Sequence, residues 1–449
     1  MAQETAQLNG VTYRVPESPV AVVCVDGGGP EYFAAAKDAG VIPNIARFMD
    51  DGFSCIAHCV IPSFTCPNNI SIATGGPPKV HGISGNFYLD RQTGEAVVMT
   101  GPELMRSRTI FDVVSKTGVK TVVITAKDKL RKQLGKDLDV SAGNVCFSSE
   151  HADRCTMEEN GIENALSLIG QPLPDMYSEE LSLFVLDAGI KLLEQDDRPG
   201  LMYLSLTDYV QHKYAPEDPE ALDFYKSLDE RFARLEQLGA TVGFVADHGM
   251  KDKCAADGSY QIVYLQDLLD ERFGAGNSRV ICPITDAFVG HHGSLGGFVR
   301  VHLFNGVSAP ELVDFIRPIE GIEEVLGREA AATRFDLPFD LEGDIVVISR
   351  EHYCVGMGRD DHDLTELNGE RLRSHGGISE RDVPFAINRP LNAEYLARAS
   401  SEQVKSYHIY GETRKMAGLL CPAVITTVPV AMVPGMNSLL NILQDFNSG

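Results

Sequence analysis

The sequence predicts an α/β protein: a mostly parallel sheet sandwiched by helices, with an α+β cap inserted into that core. Short apolar, β-rich runs alternate with segments of helical periodicity, the pattern of parallel strands joined by crossover helices. Three of those runs lead into an acidic residue, directly or after one intervening residue. A third observation points to the insertion, because His248 and His375, each followed by glycine, stand 127 residues apart. One crossover connection needs far fewer.

The first predicted strand, Val20–Val25, runs into Asp26 and three glycines. Helical patterns follow over Pro43–Asp51 and Thr109–Thr117, and the second of these precedes a strand at Thr121–Thr125. The helix expected over Ser178–Glu194 leads to a strand at Met202–Leu206, which ends in Thr207-Asp208. A helix over Pro219–Leu238 then precedes a strand at Thr241–Ala246, ending in Asp247-His248-Gly249. The core is expected to comprise residues 16–256 and 364–449, and the cap residues 257–363. The sequence has no internal repeat, low-complexity tract or long Gly/Ser linker.

The chain has 449 residues, 39 Lys+Arg against 63 Asp+Glu, and a net charge of −24. That balance opposes nucleic acid, whose binding rests on neutralising many phosphates with cations, and it opposes an anionic membrane surface. A small anionic substrate stays compatible if bound metal ions reverse the local field. Hydrophobic residues at 44% suffice for a packed core. Residues 1–10 lack a basic segment followed by an apolar stretch, and prolines break the apolar tail, so neither signal peptide nor membrane span is expected. The ten cysteines show no C-x-x-C spacing, and Cys24 and Cys146 sit inside apolar runs. A reduced, cytoplasmic protein is the expectation.

Ligands bind at the carboxyl ends of strands in open α/β sheets, which is where Asp26, Asp208 and Asp247 fall. Asp208 and His212 are four apart, on one face of a helical turn starting at the strand end. With His248 and His375 they make three carboxylates and three imidazoles, a donor set that suits zinc. It is enough for two ions about 3.5–4 Å apart, an arrangement suited to phosphoryl transfer. Thr65 and Cys66 lie between Pro62 and Pro67, ahead of a helix-like stretch Asn68–Thr74. A hydroxyl there gains from helix N–H groups and dipole; taken without the metal set, Thr65 reads more readily as an ordinary N-cap. His291 and His292 are adjacent, so on a strand they face opposite ways, which favours a structural or lid role. His81 is expected to order the loop before Asn86.

The order Asp26, Thr65, Asp208-x-x-x-His212, Asp247-His248, His375 resembles the alkaline phosphatase superfamily. Thr65, TGGPPKVHGISGN (Thr74–Asn86) and ADHGM (Ala246–Met250) resemble its nucleotide pyrophosphatase/phosphodiesterase branch. Within that branch PSFTCPNN, ITAKDKLR, TDYVQHKYAP, HHGSLGGF and RSHGGISERDVPF are similar to the phosphonoacetate hydrolase family. The likeness runs from about Val20 to about Pro390.

The resemblance implies an alkaline-phosphatase-like fold and two zinc ions per chain, one on Asp208, His212 and His375, the other on Asp26, Asp247 and His248 with Thr65. It implies hydrolysis of the P–C bond of phosphonoacetate to acetate and phosphate, in two steps through a phosphothreonine at Thr65. Substrate contacts would come from Thr65, Asn86, Lys127, Lys129, His212 and His375. Expulsion of carbon from phosphorus needs a stabilised carbanion, here an enediolate beside the substrate carboxylate. Fixed cations serve that end, and Lys127 and Lys129 follow the Thr121–Thr125 strand. The alternative is a phosphodiesterase or pyrophosphatase acting on nucleotide-like esters, which keeps the metals but needs an apolar base slot; the chain has no Trp. A mutase would use Ser in place of Thr65. The tail after about Ser400 lies outside the resemblance and either extends the core or contacts a second subunit in a homodimer.

Overall fold

The computed structural model describes residues 4–99, 101–284, 294–367 and 369–411. His291, His292 and the apolar tail segment 421–435 lie outside them. A seven-stranded sheet organises the larger part of the chain. From one edge its strands are Phe53–His58, Asp382–Ile387, Thr241–Val245, Val20–Cys24, Leu201–Ser205, Thr121–Thr125 and Val145–Ser148. The last five pair in parallel, whereas Asp382–Ile387 runs antiparallel to both its neighbours.

Successive residues of a strand face opposite sides of the sheet, and both sides are covered here. Ala21, Val23 and Val25 enter one core with the helices Pro30–Asp38, Pro43–Asp51, Glu180–Leu193 and Pro219–Gln237. Val20, Val22 and Cys24 enter the other, with Thr65–Thr74, Ile110–Ser115 and Asp128–Leu134. Burial on both faces explains why these strands read as continuous apolar runs. The expected strands and helices are present, with ends shifted by one or two residues.

One helix departs further from expectation. It begins at Thr65, not Asn68, and so includes Cys66 and Pro67. Proline is tolerated in a first helical turn, where its missing N–H would have no intrahelical acceptor.

A second, four-stranded antiparallel sheet is ordered Ser278–Ile281, Phe298–Leu303, Ile345–Ser349, Ile322–Gly327. Its core takes in Ile61 and Phe64, from the segment that leads into Thr65. Among the described residues no helix is long and apolar enough to cross a membrane, and the nine cysteines are all free.

Candidate metal centre

Asp26, Asp208 and Asp247 follow three strands that are neighbours in the sheet, so the chain turns deliver the three acids side by side. Gly27 makes the close approach work. It adopts φ +65°, its N–H lies 3.3 Å from Asp247 Oδ1, and a Cβ there would sit 3.0 Å from that of Asp208.

Six of the seven expected ligands, all but Thr65, form two groups, Asp26–Asp247–His248 and Asp208–His212–His375, and in each the candidate ligand atoms lie within 4.8 Å of one another. Asp208 Oδ2 is 2.9 Å from His212 Nε2 and 3.7 Å from His375 Nε2. His248 Nε2 is 3.2 Å from Asp26 Oδ1 and 3.8 Å from Asp247 Oδ2. The His248 and His375 rings stack with centroids 3.6 Å apart, so the two groups are contiguous.

Each imidazole is oriented through its other nitrogen. Nδ1 of His212 meets the Arg373 carbonyl at 2.8 Å, that of His248 the Gly249 carbonyl at 2.9 Å, and that of His375 the Ser63 carbonyl at 2.8 Å. A carbonyl only accepts, so every Nδ1 carries hydrogen and every Nε2 turns toward carboxylate oxygens. Lone pairs facing lone pairs repel unless a proton or a cation lies between them. Asp26 Oδ1 is buried and receives no aligned hydrogen bond. Donor chemistry and geometry thus fit a pair of divalent ions, zinc above all.

Titration behaviour shows the same tension. Burial, then Asp208 and Asp247, push the Asp26 carboxyl well above its usual range against the pull of His248. Burial also raises Asp247, although His248 opposes it. For Asp208 burial is outweighed by His212 and His375, which hold it well below the carboxylate range. Burial disfavours the charged form of His248, yet Asp247 and Asp26 raise it to about 10. Burial and the charge of His248 press His375 well down.

Thr65 is the first residue of its helix and does not cap it; Phe64 holds the cap position. The Thr65 hydroxyl instead lies 3.3 Å from His248 Nε2. Asn69, one turn along, was not singled out by the sequence. Its Nδ2 donates to Asp247 Oδ2 (3.0 Å) and to the Thr65 carbonyl (3.1 Å), while its Oδ1 accepts from Tyr203 Oη (2.7 Å) and Ser205 Oγ (2.9 Å).

Asn86 is buried against the smaller sheet, with Nδ2 donating to the Ile284 carbonyl at 3.1 Å and its main-chain N–H to that of Pro283 at 2.7 Å. His81 fixes the preceding loop, accepting from the Ile83 N–H at 3.2 Å and meeting Ser71 Oγ at 2.9 Å. Lys127 and Lys129 flank the start of the Asp128–Leu134 helix, one strand away from Asp208. The Lys127 ammonium lies 3.4 Å from the Met176 carbonyl and 5.4 Å from the centre of the Tyr177 ring.

Glycine brings the His375 loop against the smaller sheet. Gly376 has φ +121°, and a Cβ there would meet the Phe64 ring at 2.3 Å. A Cβ at Gly297 would meet the Gly377 nitrogen at 2.5 Å, and the Gly297 N–H donates to the His375 carbonyl at 2.9 Å.

This fold and site define a family. Residues 20–293 match the type I phosphodiesterase / nucleotide pyrophosphatase model, and the chain belongs to that family as a hydrolytic enzyme. Among solved structures it is similar to phosphonoacetate hydrolase from Sinorhizobium meliloti 1021, in complexes with phosphonoacetate and with phosphonoformate. Identity is 47%, the TM-score 0.87, and the match covers 91% of this chain and 98% of that one. Murine ectonucleotide pyrophosphatase / phosphodiesterase 5 matches at 16% identity and TM-score 0.58, over 83% of this chain and 89% of the other. That likeness is one of fold alone.

Proposed function

We propose that the protein is a di-zinc enzyme that hydrolyses the carbon–phosphorus bond of phosphonoacetate, with Thr65 as nucleophile. The observation that carries this reading is the seat of Thr65. Its hydroxyl lies 3.3 Å from His248 Nε2, beside one ligand group, at the start of a ten-residue helix. Asp26, Asp247 and His248 would hold one ion and Asp208, His212 and His375 the other; bound there, zinc supplies positive charge that favours an alkoxide and stabilises charge on phosphoryl oxygens.

Thr65 Oγ attacks phosphorus, and the P–C electron pair leaves with carbon, delocalising into the neighbouring carboxylate before protonation gives acetate. Water then attacks the phosphothreonine, releasing phosphate and restoring the hydroxyl. The N–H groups opening the Thr65 helix favour the anionic phosphoryl group, and Asn86 donates to a phosphonate oxygen. Lys127 and Lys129 hold the substrate carboxylate, where charge grows in the transition state. The described parts of the insertion, 257–284 and 294–363, serve as a cap over the strand ends. The substrate assignment is supported by the Sinorhizobium enzyme with bound phosphonoacetate and by the lysine pair at the ligand-binding edge of the sheet.

The test is turnover by zinc-loaded and by chelator-stripped protein on phosphonoacetate, a nitrophenyl phosphodiester and phosphoglycerate. Acetate and phosphate from the first substrate, lost on stripping and restored by zinc, are expected. A larger kcat/KM on the diester would shift the reading to a phosphodiesterase, and activity independent of divalent ions would refute the metal centre.

A further inference from the structure

We propose that Glu380, held by Lys253, is a positioning residue that keeps the two ligand-bearing loops of the metal centre in register. The inference rests on the two-metal reading above. Both side chains are completely buried. Lys253 Nζ donates to Glu380 Oε1 at 2.7 Å and to the Glu351 carbonyl at 2.6 Å. Ser379 Oγ also donates to Oε1, at 2.8 Å.

The other carboxylate oxygen does something different. Glu380 Oε2 accepts from the Gly377 N–H at 2.8 Å, two residues past His375. The main-chain carbonyl of Glu380 accepts from the Gly249 N–H, also at 2.8 Å, one residue past His248. One residue therefore touches both loops from behind, by side chain on one side and by backbone on the other. A short antiparallel ladder, Lys251 to Ser374 and Asp252 to Arg373, joins the same loops again, and Lys253 follows it directly.

Burying an ion pair is costly, and apolar residues of similar volume fill such a space at least as well. A carboxylate adds an acceptor of fixed direction for the Gly377 N–H, which an apolar residue lacks. Only the side chain reaches the His375 loop, so its loss should loosen the Asp208–His212–His375 group and spare the other.

Two double variants of equal charge separate these roles: Lys253→Met/Glu380→Gln, which keeps an acceptor for Gly377, and Lys253→Met/Glu380→Ala, which does not. Stripped proteins would be titrated with zinc against a competing chromophoric chelator, with thermal unfolding recorded to establish that each is folded. The Gln variant should bind two equivalents nearly as wild type does. The Ala variant should keep one and bind the other roughly 10–100-fold more weakly, as supports of metal ligands usually do. Equal affinities in the two variants would overturn the proposal; fewer than two equivalents in wild type would instead overturn the two-metal reading. If the Ala variant does not fold, Glu380→Asp takes its place, keeping the charge beside Lys253 but withdrawing the acceptor by about 1.5 Å. The same selective loss is expected, and unchanged affinity for both ions would overturn the proposal.

Discussion

Asn69→Ala removes the side chain that ties the Thr65 helix to Asp247. Four hydrogen bonds converge on it, to Asp247 Oδ2, the Thr65 carbonyl, Tyr203 Oη and Ser205 Oγ, in a fully buried setting. Alanine leaves a carboxylate oxygen and two hydroxyls without that partner. The charge-assisted bond is worth about 1.5–3 kcal/mol and each neutral one about 1 kcal/mol. Because the hydroxyls rotate and recover part of theirs, the expected loss is about 3–4 kcal/mol. That is a large fraction of the roughly 5–15 kcal/mol that holds a domain together. Equilibrium urea unfolding of the stripped protein, followed by circular dichroism, measures it. Asn69→Asp is the companion variant. It keeps the acceptor for Tyr203 and Ser205 but sets a second carboxylate oxygen against Asp247, and neighbouring carboxylates cannot both ionise cheaply. It should destabilise the stripped protein more than alanine does. A loss under about 1 kcal/mol in Asn69→Ala would refute this reasoning, since the network would then close without Asn69.

Three further outcomes are expected. Thr65→Ala should lower turnover of phosphonoacetate roughly a thousandfold or more while zinc analysis still finds both ions; Thr65→Ser should keep part of the activity, because a hydroxyl survives. Lys127→Ala or Lys129→Ala should cost about ten- to hundredfold in kcat/KM for phosphonoacetate and leave a nitrophenyl phosphonate ester nearly unaffected; equal losses on both substrates would count against carboxylate binding. Burial holds the His81 pKa at about 3, below its ordinary 6.5, so between those values the unfolded chain binds a proton that the folded chain does not. Its contribution to stability is present above pH 6.5 and lost as pH falls toward 3, by up to about 1.4 kcal/mol per unit. His81→Gln should therefore narrow its stability gap to wild type between pH 7 and pH 5, and a gap independent of pH would contradict this.

Four of the five parallel strands were legible because they are buried on both faces, and three of these lead into acids; the edge strand Val145–Ser148 was not singled out. The antiparallel strand Asp382–Ile387 was not, since Pro384 interrupts its pattern. Pro384 stands just beyond Val245–Phe385, where pairing with the Thr241–Val245 strand stops, and lies opposite Ile56 in the ladder with Phe53–His58. Asp26, Asp208, Asp247, His248 and His375 were legible as candidates because each combines a donor side chain with a strand end or a glycine, and His212 because it stands four residues after Asp208. Asn69 and Glu380 carry no such local sign. One looks like any polar helix residue, and the other finds Lys253 only through a contact 127 residues away along the chain.

The packing of Gly376-Gly377 on Gly297 bears on how the molecule can open. Gly297 lies against the main chain of Gly377, and the Phe64 ring packs on Gly376. A tilt of the smaller sheet would pull on the His375 carbonyl through the Gly297 N–H. Any opening that shifts the smaller sheet is therefore coupled to the His375 loop through that hydrogen bond.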